Sequence, residues 1–390
     1  MSTPTAIGFD MGATSTKTGV VRDGKILTRG HVIETRQDGD TAALIDAFIE
    51  EIRRLQELHP DIEAVGVGVP GIINPVQGVV VNLTNVKGWR DIALRSIIMQ
   101  RTGLVGNLEN DAKAMAYAEW KHGAGQSVSN VVCVTLGTAV GGALILNGRL
   151  YRGATWVAGE IGQTSIDYQG VDFVYGNKGA LEAYVGHRQI SARAKEIYAE
   201  AGRILSDDDA QLHRLCRAAD DGDELADKIW RDIGLKIGVG LTNVIWLVNP
   251  DRIVIGGGVA QAGERLFGYI RQTIRSRCDK TFWDKLEVVP ATLGNDAGII
   301  NSLIDQNRAV DQTLLRQRSV EARVKIGNRS ARPMTLRAVR VEIGSRAVFQ
   351  GSVWVTGARE RGKILQIGFV KIGIEQAEMI PGAQLIVGNP

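Results

Sequence analysis

Apolar positions follow two periods along the first 307 residues, and their interleaving predicts an α/β protein. Short apolar or alternating runs mark strands at Ala6–Phe9, Thr18–Arg22, Lys25–Thr28, Val65–Val69, Val131–Thr135, Gly141–Leu146, Arg149–Tyr151, Arg252–Ile255 and Leu286–Val289. Longer segments carry helical spacing. Leu44, Phe48, Ile52 and Leu55 predict a helix over 40–57, and Asp91–Gln100 reads as a short one. Residues 190–247 are mostly helical; Leu225, Ile229, Ile233, Ile237, Leu241 and Ile245 line one face of the last helix, with Gly234, Gly238 and Gly240 thinning a side for close packing. Asn249-Pro250 stops that helix, and Leu293 to Gly298 opens a final one running to about Asp305.

The strand signals repeat. Ile7 to Thr14, a strand, Asp23-Gly24 and Lys25 to Gly30 stand against Val132 to Thr138, a strand, Asn147-Gly148 and Arg149 to Gly153, in the same order. Each unit opens with a strand ending in a Gly/Thr turn and closes with a tight hairpin signal. Two related lobes facing across a cleft are expected.

From about residue 318 the period becomes two: Val320, Ala322, Val324, Ile326; Leu336, Val339, Val341, Ile343; Val353, Val355; Ile364, Ile367, Phe369. Turn residues such as Gly327-Asn328 and Pro381-Gly382 punctuate it, which predicts an antiparallel β-rich module over 311–390. Without His, Cys or a readable motif, this tail is expected to serve structure or oligomerisation, or else to bind a carbohydrate or partner through Trp354 and Phe369.

Composition narrows the classes. A net charge of +3 is too small to imply a nucleic-acid or membrane partner, and no apolar run approaches a membrane span. The three cysteines are widely spaced and form no CxxC, which suits a reducing compartment; a cytoplasmic protein is expected.

Candidate chemistry gathers at the turns. In Asp10-Met11-Gly12-Ala13-Thr14 the glycine admits a close anion, the Thr adds a donor, and Asp10 suits a phosphate-bound Mg²⁺. Leu136-Gly137-Thr138 occupies the repeated position, and the pair points to a nucleotide held between lobes. Gly256-Gly257-Gly258 after a buried strand offers bare backbone to a base or ribose. Asp111 stands where a strand gives way to a helix, near N–H groups that favour its charged form, and so suits a base.

Taken together, these stretches resemble the ROK family of sugar kinases, within the actin-like ATPase superfamily. The resemblance is carried by Asp10-x-Gly12-x-Thr14, Val67 to Gly71, Asn85 with Gly88-Trp89, Glu109-Asn110-Asp111, Leu136-Gly137-Thr138, Ala158 to Gly162, Leu181 to Tyr184, Asn249-Pro250 with Gly256 to Gly258, and Leu293 to Gly298, in family order. It implies two duplicated actin-like (ribonuclease H-like) lobes. A small lobe over 1–112 is completed by a helix at 297–309, a large lobe covers 113–296, and the β-rich domain is appended. It implies ATP with Mg²⁺ as cofactor and Asp111 as the catalytic base toward a hexose hydroxyl, expected at C6. Gly71, Asn85, Asn110, Glu160 and Glu182 match positions that bind the sugar; Asp10, Gly12, Thr14, Gly137, Thr138, Gly256 and Gly257 match the nucleotide site.

The chain departs from that pattern in two linked places. Gln163 stands where most members have a His, and Phe173, Tyr175 and Ala180 stand at the cysteine positions of a zinc knuckle. Without thiolate or imidazole no structural zinc is expected, and the aromatic pair is expected to pack in its place. The leading expectation is a glucokinase-like ATP-dependent hexose kinase, a homo-oligomer (dimer) with no nucleic-acid or membrane partner. The alternatives are a kinase for fructose, mannose, allose or an N-acetylated amino sugar, or a non-catalytic sugar-sensing regulator. The regulator is disfavoured by the few residues ahead of the first strand.

Overall fold

The computed structural model describes residues 4–12, 14–35, 40–83, 86, 88–300 and two strands at 335–343 and 347–354. Its first sheet is built from β1 (Thr5–Met11), β2 (Ser15–Arg22), β3 (Lys25–Arg29) and the short β4 (Ile33–Glu34). Helix α1 (Thr41–Leu58) then leads to β5 (Ile62–Val69), and a small three-stranded sheet follows: β6 (Ile72–Asn74), β7 (Val79–Asn82) and β8 (Arg90–Ile92). Helix α2 (Leu94–Thr102) returns the chain to β9 (Val105–Asn110). The main sheet runs β3-β2-β1-β5-β9, with β4 paired to β2. Its core strands are buried on both faces, which is why β1 and β5 read as near-continuous apolar runs. Phe9, Phe48 and Trp89 form an aromatic cluster between the sheet and α1.

Helix α3 (Asp111–His122) leads to the second sheet. It contains β10 (Val131–Leu136), β11 (Val140–Leu146) and β12 (Arg149–Tyr151). Four helices follow, α4 (Glu182–Val185), α5 (His187–Glu200), α6 (Leu212–Asp220) and α7 (Glu224–Val248). Then come β13 (Arg252–Gly256), α8 (Glu264–Arg277), α9 (Lys280–Trp283), β14 (Glu287–Pro290) and α10 (Ala297–Ile300). This sheet runs β12-β11-β10-β13-β14. Its pairings repeat the first sheet's. The opening hairpins are antiparallel (β1 with β2, β10 with β11). The inner pairs are parallel: β1 with β5, β5 with β9, β10 with β13, β13 with β14. The repeat in the sequence is therefore a repeat of strand order and direction.

The two chain crossings between the sheets are fastened to each other. Glu119 on α3 is fully buried, and its carboxylate accepts the N–H groups of Ala124 (2.9 Å), Thr292 (2.9 Å) and Leu293 (2.8 Å). A buried carboxylate is tolerated where several donors converge on it. Beyond that clip α10 lies on β1, where Gly8 leaves room for the backbone of Ile299.

Several details differ from the pattern reading. The helix expected from Asp91 begins at Leu94, because Arg90–Ile92 pairs with β7 and Asp91 takes a left-handed φ of 54°. Arg95 ties this small sheet to β9, donating to the carbonyls of Gly106 (2.9 Å), Val76 (2.9 Å) and Pro75 (2.6 Å). The segment after Gly258 enters a single 3₁₀ turn before α8. The last helix is described only to Ile300. Of the β-rich tail, β15 (Thr335–Ile343) and β16 (Ala347–Trp354) pair antiparallel. The remainder of that expected module, Phe369 included, lies outside the described residues. Among the described residues no helix is long and apolar enough to cross a membrane.

The glycines of α7 do thin one face. A methyl on Gly238 would stand 2.5 Å from the Cβ of Thr273, and one on Gly234 2.5 Å from the Cβ of Tyr269, both on α8. Gly238→Ala should gain about 1 kcal/mol of helix propensity but force α7 and α8 apart at roughly 1–3 kcal/mol. The expected outcome is a lower urea midpoint with an unchanged slope; a raised midpoint would show that the helices do not pack at this distance.

Candidate active site

The strand-to-helix junction at Asp111 is built by its neighbours. Asn110 caps α3, its Oδ1 accepting from the N–H of Lys113 (3.2 Å). The same side chain's Nδ2 donates to the Gly71 carbonyl (3.3 Å) and to Asp111 Oδ1 (3.0 Å). Oδ1 also accepts the N–H of Ala112 at 2.8 Å. Among the described residues both of these bonds fall on Oδ1, which leaves Oδ2 as the candidate to take a proton from a ligand. Gly71 adopts φ 115°, a conformation that favours glycine, and a Cβ there would strike the Asn82 carbonyl.

Burial decides the charge state of Asp111. Removal from water pushes its pKa up to about 6; the Ala112 N–H pulls it down, and the nearby carboxylates of Asp10 and Glu160 push it up again. The helix N-terminus therefore does act as expected, but burial outweighs it. Asp10, at the end of β1, is raised in the same way, by burial first and against the pull of Lys17. Its carboxylate occupies the space where a Cβ of residue 298 would stand, which is why α10 carries Gly298 there.

The second turn lies next to this junction. Gly141 has no Cβ, and one would stand 2.8 Å from the Cβ of Ala112, so α3 begins directly against the start of β11. Gly137 closes its turn by donating its N–H to Ala139 (3.0 Å), much as Gly12 donates to Ser15 (2.9 Å). The glycine N–H groups thus shape the turns, while Thr14 and Thr138 at their tips are exposed. Gly257, at φ 90°, lies against the backbone of Leu136, which brings the third glycine motif beside the second turn. Gly256 ends β13 and packs toward Ala291.

Of the other expected sugar residues, Glu160 lies close enough to the junction for its charge to act on Asp111. The segment carrying it lies on β11 because Gly142 and Gly159 are bare where they cross. Its carboxylate is 3.6 Å from Lys113 Nζ. Glu182 is differently engaged: its Oε2 accepts the N–H of Val140 at 2.8 Å, so it fixes the end of the second turn. Asn110 holds Asp111 and α3, with one acceptor position of Oδ1 left over. Asn85 lies outside the described residues.

Around Gln163 the aromatic pair does not pack together as expected. Tyr175 is 76% exposed, Phe173 half-buried and Ala180 buried. The loop is held instead by main-chain bonds, Phe173 to Asn177 and Gly176 to Phe173 (both 2.9 Å), and by the Asn177 side chain on the Gln163 carbonyl at 2.7 Å. Short-range hydrogen bonds of this kind order a loop without aromatic packing. The side-chain oxygens of Gln163 and Asn177 are buried without a hydrogen-bond partner. Among the described residues no group of three or more His, Cys, Asp and Glu side chains could hold a metal ion.

Two charged residues and one glycine were not legible as site residues. Arg152 pairs with the buried Glu109 at 2.7 Å, and Glu109 Oε1 accepts the N–H of Asn110 at 3.0 Å, so that ion pair braces the junction from behind. Lys113 is buried beside it. The signal lay in Ala112, Ala114, Ala116 and Ala118: small residues around α3 mean that it is packed on more than one side. Gly298 sat inside a motif whose reason only the Asp10 contact reveals.

A family model described as "ROK family" matches residues 6–304. A glucokinase of Halalkalibacterium halodurans is 32% identical over 305 residues, covering 75% of this chain and 92% of that protein. A glucokinase of Thermotoga maritima is 32% identical over 306 residues, 76% of this chain and 95% of that protein. The solved structure of a ROK family glucokinase from Streptomyces griseus in complex with glucose and AMPPNP is 31% identical, with a TM-score of 0.64, and covers 76% of this chain and 97% of its own.

Burial of Asp111 has a stability consequence. Its folded pKa of about 6 lies above the unfolded value, so stability associated with the protonated form is present in full below the unfolded pKa and is lost as pH rises to 6. Asp111→Asn, which keeps an oxygen for Asn110 and Ala112, should therefore be more stable than the parent at pH 8 by on the order of 2 kcal/mol. The difference should shrink toward pH 4 in denaturant titrations. A variant less stable at pH 8 would refute the dominance of burial.

Proposed function

The chain belongs to the ROK family, and on that premise we propose that Asp111 is the general base of its reaction. The protein is an ATP-dependent sugar kinase that phosphorylates a hexose hydroxyl, as the glucokinases it resembles do. The observation that carries the assignment is the placement of Asp111. It offers Oδ2 beside the second turn, with its other oxygen fixed by Asn110 and Ala112.

The chemistry follows from that placement. A hexose hydroxyl, at C6 in our reading, gives its proton to Asp111 Oδ2 as its oxygen bonds to the γ-phosphorus of ATP. The bond to the β-phosphate oxygen breaks and ADP leaves. Phosphoryl transfer asks little covalent help of the protein beyond alignment, charge stabilisation and one base. Turns at Gly12–Thr14 and Gly137–Thr138 would hold the phosphates, and Gly256–Gly257 would lie under the nucleoside. Asp10 fits Mg²⁺: a lone carboxylate at the first turn, with Gly298 bare beside it, is a suitable oxygen ligand to share with phosphates. Mg²⁺ would supply charge neutralisation there. Gly71, Glu160 and, from the sequence, Asn85 would face the sugar. Glu182 would join them from its place at Val140.

In this reading the two sheets are the cores of two lobes, 1–112 with the final helix and 113–296, closing on sugar and nucleotide. Glucose is the first substrate to test. A hexose other than glucose is the second reading, favoured by Gln163 standing where most members of the family have a His. The assembly proposed is a homodimer in the cytoplasm, where its free cysteines stay reduced.

Two measurements test the base. Asp111→Asn should lower kcat by roughly 10²–10⁴-fold while isothermal titration still finds hexose binding within a few-fold of the parent. In the parent, kcat/KM for the hexose should rise with pH through about 6 as Asp111 of the free protein ionises. Near-normal turnover in the Asn variant would remove the assignment, and a hexose panel scored by ADP release separates glucose from its rivals.

A further inference from the structure

Among the described residues Lys113 is a buried charge without a close, buried counter-ion. Its side chain is 1% exposed, on α3 two residues beyond Asp111. Its carboxylate partner is Glu160, at 3.6 Å, and Glu160 is itself 45% exposed. Burying an ammonium against a half-solvated carboxylate recovers little, because the partner keeps its water and the separation exceeds a good hydrogen bond. An apolar side chain of the same length would fill the space at lower cost. A charge retained at the expense of stability beside a reacting centre points to function.

The surroundings show what the charge can do. Glu160 lies among carboxylates: Asp10 on β1 and Asp111 on α3 both act on the same region, with Lys17 countering at Asp10. Left alone, Glu160 would be repelled toward solvent. Lys113 is the cation that draws it back over the junction. The segment carrying Glu160 does not depend on this pair for its path, since Arg152 anchors it to Glu109 and Gly142 and Gly159 let it lie on β11. The lysine therefore acts on the direction of one side chain.

We propose that Lys113 is a positioning residue that holds the Glu160 carboxylate toward the hexose, setting sugar affinity without taking part in proton transfer. The inference rests on the reading that Glu160 touches the hexose. A hydroxyl bound by a carboxylate whose orientation is fixed in advance is held more tightly than one bound by a wandering side chain.

The test is kinetic and thermal, on the full chain. Lys113→Met should raise the KM for glucose, or for the best hexose of the panel, about tenfold. The KM for ATP should stay within twofold, kcat should change far less than the hexose KM, and the Tm should hold or rise. Glu160→Gln should raise the same KM and lower the Tm, because it leaves the ammonium buried and unpaired. In the double variant the hexose KM should be no higher than in Glu160→Gln alone, as coupling requires. An unchanged hexose KM in Lys113→Met, with Glu160→Gln impaired, overturns the inference and leaves the sugar role of Glu160 standing. An unchanged KM in Glu160→Gln removes that role and the inference together. A falling Tm in Lys113→Met with both KM values rising assigns the lysine to packing and overturns it as well.

Discussion

A carboxylate at the start of α3 has lost most of its water while the donors around it favour its charge. That conflict, at Asp111, shapes the structure around it. Two N–H donors steady one oxygen, Asn110 from its side chain and Ala112 from the first turn of α3. They do not cancel the burial, which leaves the group poised to titrate near pH 6. For the proposed base role this is apt: such a group is ionised at neutral pH and yet basic enough to take a proton as the acceptor oxygen develops its bond. Fuller solvation would give a carboxylate too acidic to draw a proton. Deeper burial would give one that stays protonated.

The glycines around the junction follow from the same requirement of close approach. Gly141 lets α3 begin against β11, Gly142 and Gly159 let the Glu160 segment lie on that strand, and Gly298 yields its place to the Asp10 carboxylate. Each removes a methyl where backbone and acid must share space. Glu119 adds the same economy at larger scale: one carboxylate closes the two crossings between sheets and satisfies three main-chain N–H groups where water is absent. Relative movement of the sheets would have to pass through these crossings, since α3 and the segment before α10 join them.

The fold was legible to the extent that it depends on pattern. The doubled hairpin unit could be anticipated because the stretch from Ile7 matched the stretch from Val132 in parts and spacing, whereas the order of strands in each sheet came from the structure. What pattern could not supply was contact at a distance in sequence. The left-handed Asp91 broke a helix that spacing alone would have extended. Glu182 stood in a recognisable motif, but its bond to Val140 spans 42 residues and could not be read from either end. Tyr175 looked like a packing residue by type and is on the surface, because main-chain bonds already order that loop. Lys113 was hidden for the opposite reason: a lysine on a helix is assumed solvated, and only the crowding of α3 between two sheets denies it water.

The charges flanking Asp111 suggest how such a site tolerates its own acidity. Asp10, Glu109, Asp111 and Glu160 gather negative charge that anionic phosphates must still approach. Glu109 is neutralised from behind by Arg152, and Glu160 faces Lys113. Arg152 is partly exposed and Lys113 buried, so the two cations offset the acids from different depths. A lysine at a turn tip would strengthen phosphate binding but would compete with the metal for the same oxygens. In the proposed mechanism Asp10 is the acid that meets Mg²⁺, tempered by Lys17, and Asp111 the acid that meets the reacting hydroxyl.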